Sequence, residues 1–213
     1  MSRLRITEIF LSLQGESRTV GIPTVFIRLT GCPLRCLYCD TTYAFKGGEP
    51  VELADVLGRV ADYGVRYVTV TGGEPLAQPA CLDLLTALCD EGYEVSLETS
   101  GALDVSAVDA RVMKVLDIKT PGSGEVRRNL WQNLAHLSEH DEIKFVLCDE
   151  ADYQWAKQVV MERDLARRTL QQKLKTLGRE PEHRKRMLRL QRFLRGRGFS
   201  DAVIADVFED LGW

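Results

Sequence analysis

Short apolar runs rich in β-branched and aromatic residues recur along the first 150 positions, and most lead straight into a loop of glycine, threonine or serine. Residues 23–29 (PTVFIRL) deliver Thr30-Gly31, and residues 66–70 end in Thr71-Gly72-Gly73-Glu74-Pro75. Residues 93–97 end in Glu98-Thr99-Ser100-Gly101, residues 112–118 in Lys119-Thr120-Pro121-Gly122, and residues 143–147 form a fifth run. An alternating lead-in, residues 5–13, precedes them. Between the runs the apolar spacing turns helical, at Val51, Leu53, Val56, Leu57 and Val60 before Gly64, and at Leu82, Leu85 and Leu88 before Gly92. Residues 151–163 predict another helix. Alternating strands and helices specify a parallel sheet, whose ligands sit at the carboxyl ends of the strands. Five or so units are too few for a closed eight-fold barrel. The fold class expected is therefore α/β: a partial, open (β/α) barrel.

The loop after the first of these runs carries the densest chemistry. Cys32, Cys36 and Cys39 stand at C-x3-C-x2-C spacing, three of six cysteines within eight residues. So compact a triplet can wrap one face of a cubane cluster, each thiolate reaching a different iron. All-cysteine zinc sites and ordinary clusters take a fourth protein ligand. Here Cys81, Cys89 and Cys148 are scattered singly. Three ligands would leave one iron open; a partial zinc knuckle or a set of structural cysteines is the alternative. Two positions on, the Thr41 hydroxyl is a hard oxygen donor acceptable to Mg2+, or simply a turn residue. Arg28, at a strand end, can clamp a carboxylate with its guanidinium fork or form a surface ion pair. The paired glycines of 71–75 allow close backbone approach. The hydroxyls of Thr99 and Ser100 suit either a ligand cavity or a helix cap.

No window of about eighteen apolar residues exists, and the N-terminus lacks the apolar core of a secretory signal. Reduced thiols and an oxygen-sensitive cluster fit a cytoplasmic location. The net charge of −3 hides a division: residues 1–163 carry −8 and residues 164–213 carry +5. Domains are therefore expected at 1–163 and 164–213.

The cysteine triplet with the downstream GGEP segment resembles the radical S-adenosylmethionine (radical SAM) superfamily. That resemblance implies a [4Fe–4S] cluster on Cys32, Cys36 and Cys39, with S-adenosyl-L-methionine on the fourth iron. It implies cofactor contacts at Tyr38, Cys39, Asp40, Gly73, Asp117, Ile118 and Lys119. Within the superfamily, TEIFLSLQGES, PTVFIRLTGC, Asp40-Thr41-Thr42-Tyr43, DIKTPGSGE and DEIKFVLCDEADYQWA are similar to the 7-carboxy-7-deazaguanine synthase family over residues 1–163. This implies conversion of 6-carboxy-5,6,7,8-tetrahydropterin to 7-carboxy-7-deazaguanine with loss of ammonia, a step toward queuosine and other deazapurines. It also implies substrate contacts at Leu13, Gln14, Gly15, Arg28 and Thr71, Mg2+ at Thr41, a flavodoxin-like electron donor and a homodimer. A glycyl-radical activase shares the cysteine spacing but is not expected to carry LQGE and PTVFIRLTGC together.

After residue 163 the resemblance stops, where the synthases would continue with a segment closing over cofactor and substrate. Leu165, Leu170, Leu174 and Leu177 predict one helix, broken by Gly178 and Pro181. Met187, Leu190, Phe193 and Leu194 predict a second, ended by Gly196 and Gly198. Ser200 is placed to cap a third carrying Val203, Ile204, Val207 and Phe208. The phrase RLQRFLRGRGFSDAVIADVF resembles the C-terminal repeat of the RecX family of recombinase regulators. Twelve basic residues between Arg167 and Arg197 form either a stripe for a recombinase filament or DNA backbone, or a solvated helix face. A binding module carried on an inactive scaffold is the competing function.

Overall fold

The computed structural model describes residues 2–176, 183–197, 199 and 201–209, without the side chains of 163–165, 168, 172, 175, 176, 183, 184 and 202. Seven strands form one sheet: β1 (Arg3–Leu13), β2 (Pro23–Leu29), β3 (Glu49–Glu52), β4 (Tyr67–Gly72), β5 (Glu94–Thr99), β6 (Met113–Asp117) and β7 (Glu142–Lys144). Their order is β3-β1-β2-β4-β5-β6-β7, so β3 and β7 are edges and the sheet does not close. β1 pairs antiparallel with β2 and β3. From β2 to β7 every pairing is parallel. Strands covered on both faces read as unbroken apolar runs. That is why Val25, Phe26, Ile27 and Leu29 of β2 are all buried.

Two helices cover the sheet, α1 (Leu53–Ala61) and α2 (Ala80–Asp90). α1 buries Val56 and Val60, and α2 buries Leu84, Leu85 and Leu88. Each such side chain contributes roughly 1.5–3 kcal/mol. The helix expected from Val51 begins two residues later. Glu49, Pro50, Val51 and Glu52 instead pair with Ile6, Arg5, Leu4 and Arg3, so strand pairing claims Val51 before the helix starts.

The chain forms two compact units, residues 1–130 with 137–148 and residues 131–136 with 149–213. The second contains the 3-10 turn Trp131–His136 and helices α3 (Glu150–Thr176), α4 (His183–Arg195) and α5 (Asp201–Glu209). Its core is Ala166, Leu170, Leu190, Leu194, Ile204, Val207 and Phe208. α3 runs unbroken through residues 163–164, where the charge changes sign. No glycine or proline stands there to end a helix. Leu177, Gly178, Arg179, Pro181, Gly198 and Ser200 lie outside the described residues, as do the side chains of Leu165, Arg168, Lys175 and Arg184. No helix among the described residues is long and apolar enough to cross a membrane.

Candidate active site

The carboxyl ends of the parallel strands open into a cleft of about 440 Å3. Cys32, Cys36, Cys39, Tyr38, Asp40 and Thr41 line it from the loop after β2. Thr71 and Gly73 come from the end of β4, Glu98, Thr99 and Ser100 from β5, Asp117 and Lys119 from β6, and Lys144 from β7. Arg28 reaches it from β2, where it stands in register with Thr71 of the neighbouring strand.

Backbone hydrogen bonds shape the cysteine loop. Gly31 N–H donates to the Ala44 carbonyl at 2.8 Å, and its own carbonyl accepts from Glu74 N–H at 2.8 Å. Leu37 N–H donates to the Ser123 carbonyl at 3.0 Å. Arg35 Nη1 donates to the Cys32 carbonyl at 2.8 Å, and its guanidinium stacks 4.4 Å from the Phe45 ring centroid. A Cβ at Gly73 would lie 2.3 Å from the Gly31 carbonyl oxygen and 2.8 Å from Cys32 Cβ, so only glycine lets the two loops meet. Gly72, at φ 151°, occupies backbone space that L side chains rarely adopt.

Beneath the loop, the fully buried Glu74 organises the floor. Its carboxylate accepts from Leu76 N–H at 3.0 Å, Thr99 Oγ1 at 2.9 Å, Ser100 N–H at 2.7 Å and the Ser100 hydroxyl. Thr99 and Ser100 thus serve this carboxylate while also facing the cleft. Thr71 Oγ1 donates to Glu98 Oε2 at 3.1 Å.

Lys119 Nζ pairs with Asp117 Oδ2 at 2.8 Å and lies 5.9 Å from the Tyr38 ring centroid. Its backbone is bracketed by Asn129, which accepts from Lys119 N–H and donates to the Lys119 carbonyl, both at 2.8 Å. Among the described residues, the second oxygen of Asp117 is buried with no hydrogen-bond partner, an acceptor left open. Burial pushes the Cys32 thiol up, and the Glu74 charge adds to the effect. Burial also raises Cys36, against the opposing charge of Lys119.

Arg28 is not isolated. Its Nε donates to Glu8 Oε1 at 2.7 Å, and the Tyr43 hydroxyl donates to the same oxygen at 2.9 Å. Burial opposes ionisation of Glu8, but the Arg28 and Tyr43 hydrogen bonds outweigh it and hold the carboxyl below its usual range. The guanidinium also sits 5.8 Å from the Tyr43 ring centroid. One edge of the fork is therefore spent on Glu8.

Four expected contacts fall elsewhere. Leu13 is 62% exposed, Gly15 is exposed, and Ile118 is packed in the core at 1% exposure; none lines the cleft. Gln14 is buried and turns its amide to Thr69 Oγ1 at 3.2 Å. Its neighbour Glu16 does line the cleft, in an ion pair with Lys144. Sequence reasoning singled out neither Glu16 nor Lys144, although both stand inside segments it quoted. Thr41 Oγ1 donates to Asp40 Oδ1 at 2.7 Å, which leaves its lone pairs available.

The other three thiols do not line the cleft. Cys81 is sealed in α2, its thiol pushed up to about 12 by burial and then by the charge of Glu74. Among the described residues, no group of three or more Cys, His, Asp or Glu is drawn together around a point where one metal ion would sit. A cluster that takes one thiolate per iron needs its ligands around a shared space instead. Cys32, Cys36 and Cys39 border such a space with no other thiol, and the chemistry of that donor set fits a three-thiolate cluster.

Residues 26–118 match the family model of the Radical SAM superfamily. A 7-carboxy-7-deazaguanine synthase of Chlorobaculum tepidum is 46% identical over 160 residues, 74% of this chain and 73% of that protein. One of Koribacter versatilis is 43% identical over 164 residues, 76% and 73% respectively. The crystal structure of QueE from Escherichia coli superposes with a TM-score of 0.64 at 27% identity, covering 75% of this chain and 78% of that one.

Proposed function

Because the chain belongs to the 7-carboxy-7-deazaguanine synthase family of radical SAM enzymes, we propose that it converts 6-carboxy-5,6,7,8-tetrahydropterin to 7-carboxy-7-deazaguanine, releasing ammonia as the six-membered ring contracts. The observation that carries this reading is that Cys32, Cys36 and Cys39, and none of the other three cysteines, line one cleft at the strand ends. When bound, the [4Fe–4S] cluster and S-adenosyl-L-methionine supply the radical that removes a substrate hydrogen.

Cys32, Cys36 and Cys39 hold the cluster as thiolates. Gly73 presents backbone to the methionyl amino group, and the unpartnered oxygen of Asp117 is a further acceptor on that wall. Tyr38, Asp40, Ile118 and Lys119 complete the cofactor wall, with Ile118 acting through its backbone because its side chain is in the core. Arg28, steadied by Glu8, offers its terminal nitrogens to the substrate carboxylate, and Thr71 stands beside it. Gln14 is held back, its amide on Thr69 Oγ1, its N–H on the Ile22 carbonyl and its own carbonyl on Gly21 N–H. That leaves Leu13 and Gly15, beside the cleft lining, as the substrate contacts of this segment. Glu16 and Lys144 join the polar lining. Thr41 would hold Mg2+ through its hydroxyl oxygen, and the ion would supply a positive charge for the substrate carboxylate. A flavodoxin-like protein donates the electron, and the working form is a homodimer.

Anaerobic reconstitution tests the reading. Incubation with S-adenosyl-L-methionine, Mg2+, reductant and the carboxylated pterin should yield 5′-deoxyadenosine and the deazaguanine by mass spectrometry. Cys36→Ala should keep its circular dichroism but lose bound iron and cofactor cleavage. Turnover by that variant with intact iron content would refute the ligand assignment.

A further inference from the structure

The chemistry of the cleft leaves helix α4 unexplained. From His183 to Arg197 the sequence contains no acidic residue. Leu190 and Leu194 are fully buried in the second unit's core, which fixes how the helix is rotated. Lys185, Leu188, Arg189, Arg192 and Arg195 are all exposed, Leu188 at 43%. At 100° per residue these five fall within an arc of about 120°, opposite the buried leucines, over an axial rise of about 15 Å. The Arg195 Nε is shared with Asp201, the first acid beyond the helix.

Such a stripe suits a polyanion of regular charge better than a folded partner. Duplex DNA carries one charge per roughly 1.7 Å of axis, so each basic side chain meets a phosphate without special register. An acidic protein would need carboxylates placed to match. Three of the four cations are arginines, whose planar forks take phosphate oxygens two at a time. Attraction would be local, because residues 1–163 carry −8 and repel a polyanion.

We propose that the exposed face of α4, formed by Lys185, Arg189, Arg192 and Arg195 around Leu188, docks on the phosphate backbone of a nucleic acid. Anisotropy of a fluorescein-labelled 20-base-pair duplex, titrated with the full chain, tests this. Three to four phosphate contacts should weaken binding about 40- to 150-fold between 50 and 200 mM salt. Single-stranded DNA and an RNA hairpin, run as separate arms, identify which backbone is preferred. Arg189→Glu with Arg192→Glu should abolish binding at 50 mM salt. Arg189→Lys with Arg192→Lys should retain most of it, as should Arg127→Glu on the first unit. Both α4 pairs alter exposed positions, and circular dichroism checks their fold. The proposal is overturned by no binding at 50 mM salt, by affinity insensitive to salt, or by charge reversal without effect. Competition by poly-glutamate as strong as by DNA also overturns it, and reassigns the face to an acidic protein.

Discussion

Glu74 shows how much of the cleft rests on single side chains. Four donors from two segments meet at its buried carboxylate, Leu76 N–H on one side and Thr99 and Ser100 on the other. Glu74→Ala leaves those donors unsatisfied and should lower the stability of the chain by about 2–4 kcal/mol in urea unfolding. Gly73→Ala drives a methyl group into the Gly31 backbone, which cannot yield as a flexible side chain would. We expect a loss of about 1–3 kcal/mol and failure to take up iron on reconstitution, read by the absorbance near 400 nm. Glu8 has a pH signature. Its folded carboxyl titrates below the ordinary 4.5, so its contribution is complete above that pH and is lost as pH falls through the folded value. The urea midpoint of Glu8→Gln should therefore change less between pH 6 and pH 3 than that of the parent.

At the scale of elements, the sheet's edge at β7 depends on a buried ion pair. β7 has only three residues, Glu142–Lys144. Asp141, just before it, accepts from Lys114 N–H of β6 at 2.6 Å and from Ser138 N–H at 2.7 Å, and pairs with Lys114 Nζ at 3.1 Å. Burial works against ionisation of Asp141, but these hydrogen bonds prevail and hold it below its ordinary 3.8. Stability from this group is thus present above pH 3.8 and lost as pH falls through the depressed value. Asp141→Asn strands a buried ammonium and should cost about 3–5 kcal/mol. Hydrogen exchange should show the loss first at the β6 and β7 amides; unchanged protection there would refute this anchor. Lys144 then leaves its place on the cleft, so cofactor turnover should fall with the edge.

At the scale of the whole molecule, two cores carry the chain. The second is small: among the described residues its apolar cluster holds seven buried side chains from α3, α4 and α5. Removing one is correspondingly severe. Leu194→Ala should destabilise that unit by about 2–5 kcal/mol, seen as lost amide protection across α3–α5. Retained protection there would mean that Leu194 is not part of a cooperative core. The charge division at Asp164 is real in the sequence but does not coincide with a structural break, because charge alone ends no helix and α3 continues to Thr176.

Sequence by itself determined what short range controls. The cysteine triplet lies within eight residues, and strand-end loops follow their strands directly, so Cys32, Cys36, Cys39, Thr71, Gly73, Asp117 and Lys119 could be singled out as site residues and prove to share one cleft. Two-sided burial of β2 was written into its apolar run Val25, Phe26 and Ile27, whereas β4, β5 and β6 bury Thr69, Ser96 and Lys114 among their apolar residues. Contacts between distant segments were not legible in the same way. Glu16 and Lys144 are 128 positions apart, and Glu74 meets Ser100 across 26. Gln14 looked available for substrate until packing turned its amide toward Thr69. Local pattern fixes which residues can do chemistry, whereas hydrogen-bond satisfaction in a buried interior decides which of them are free to do it.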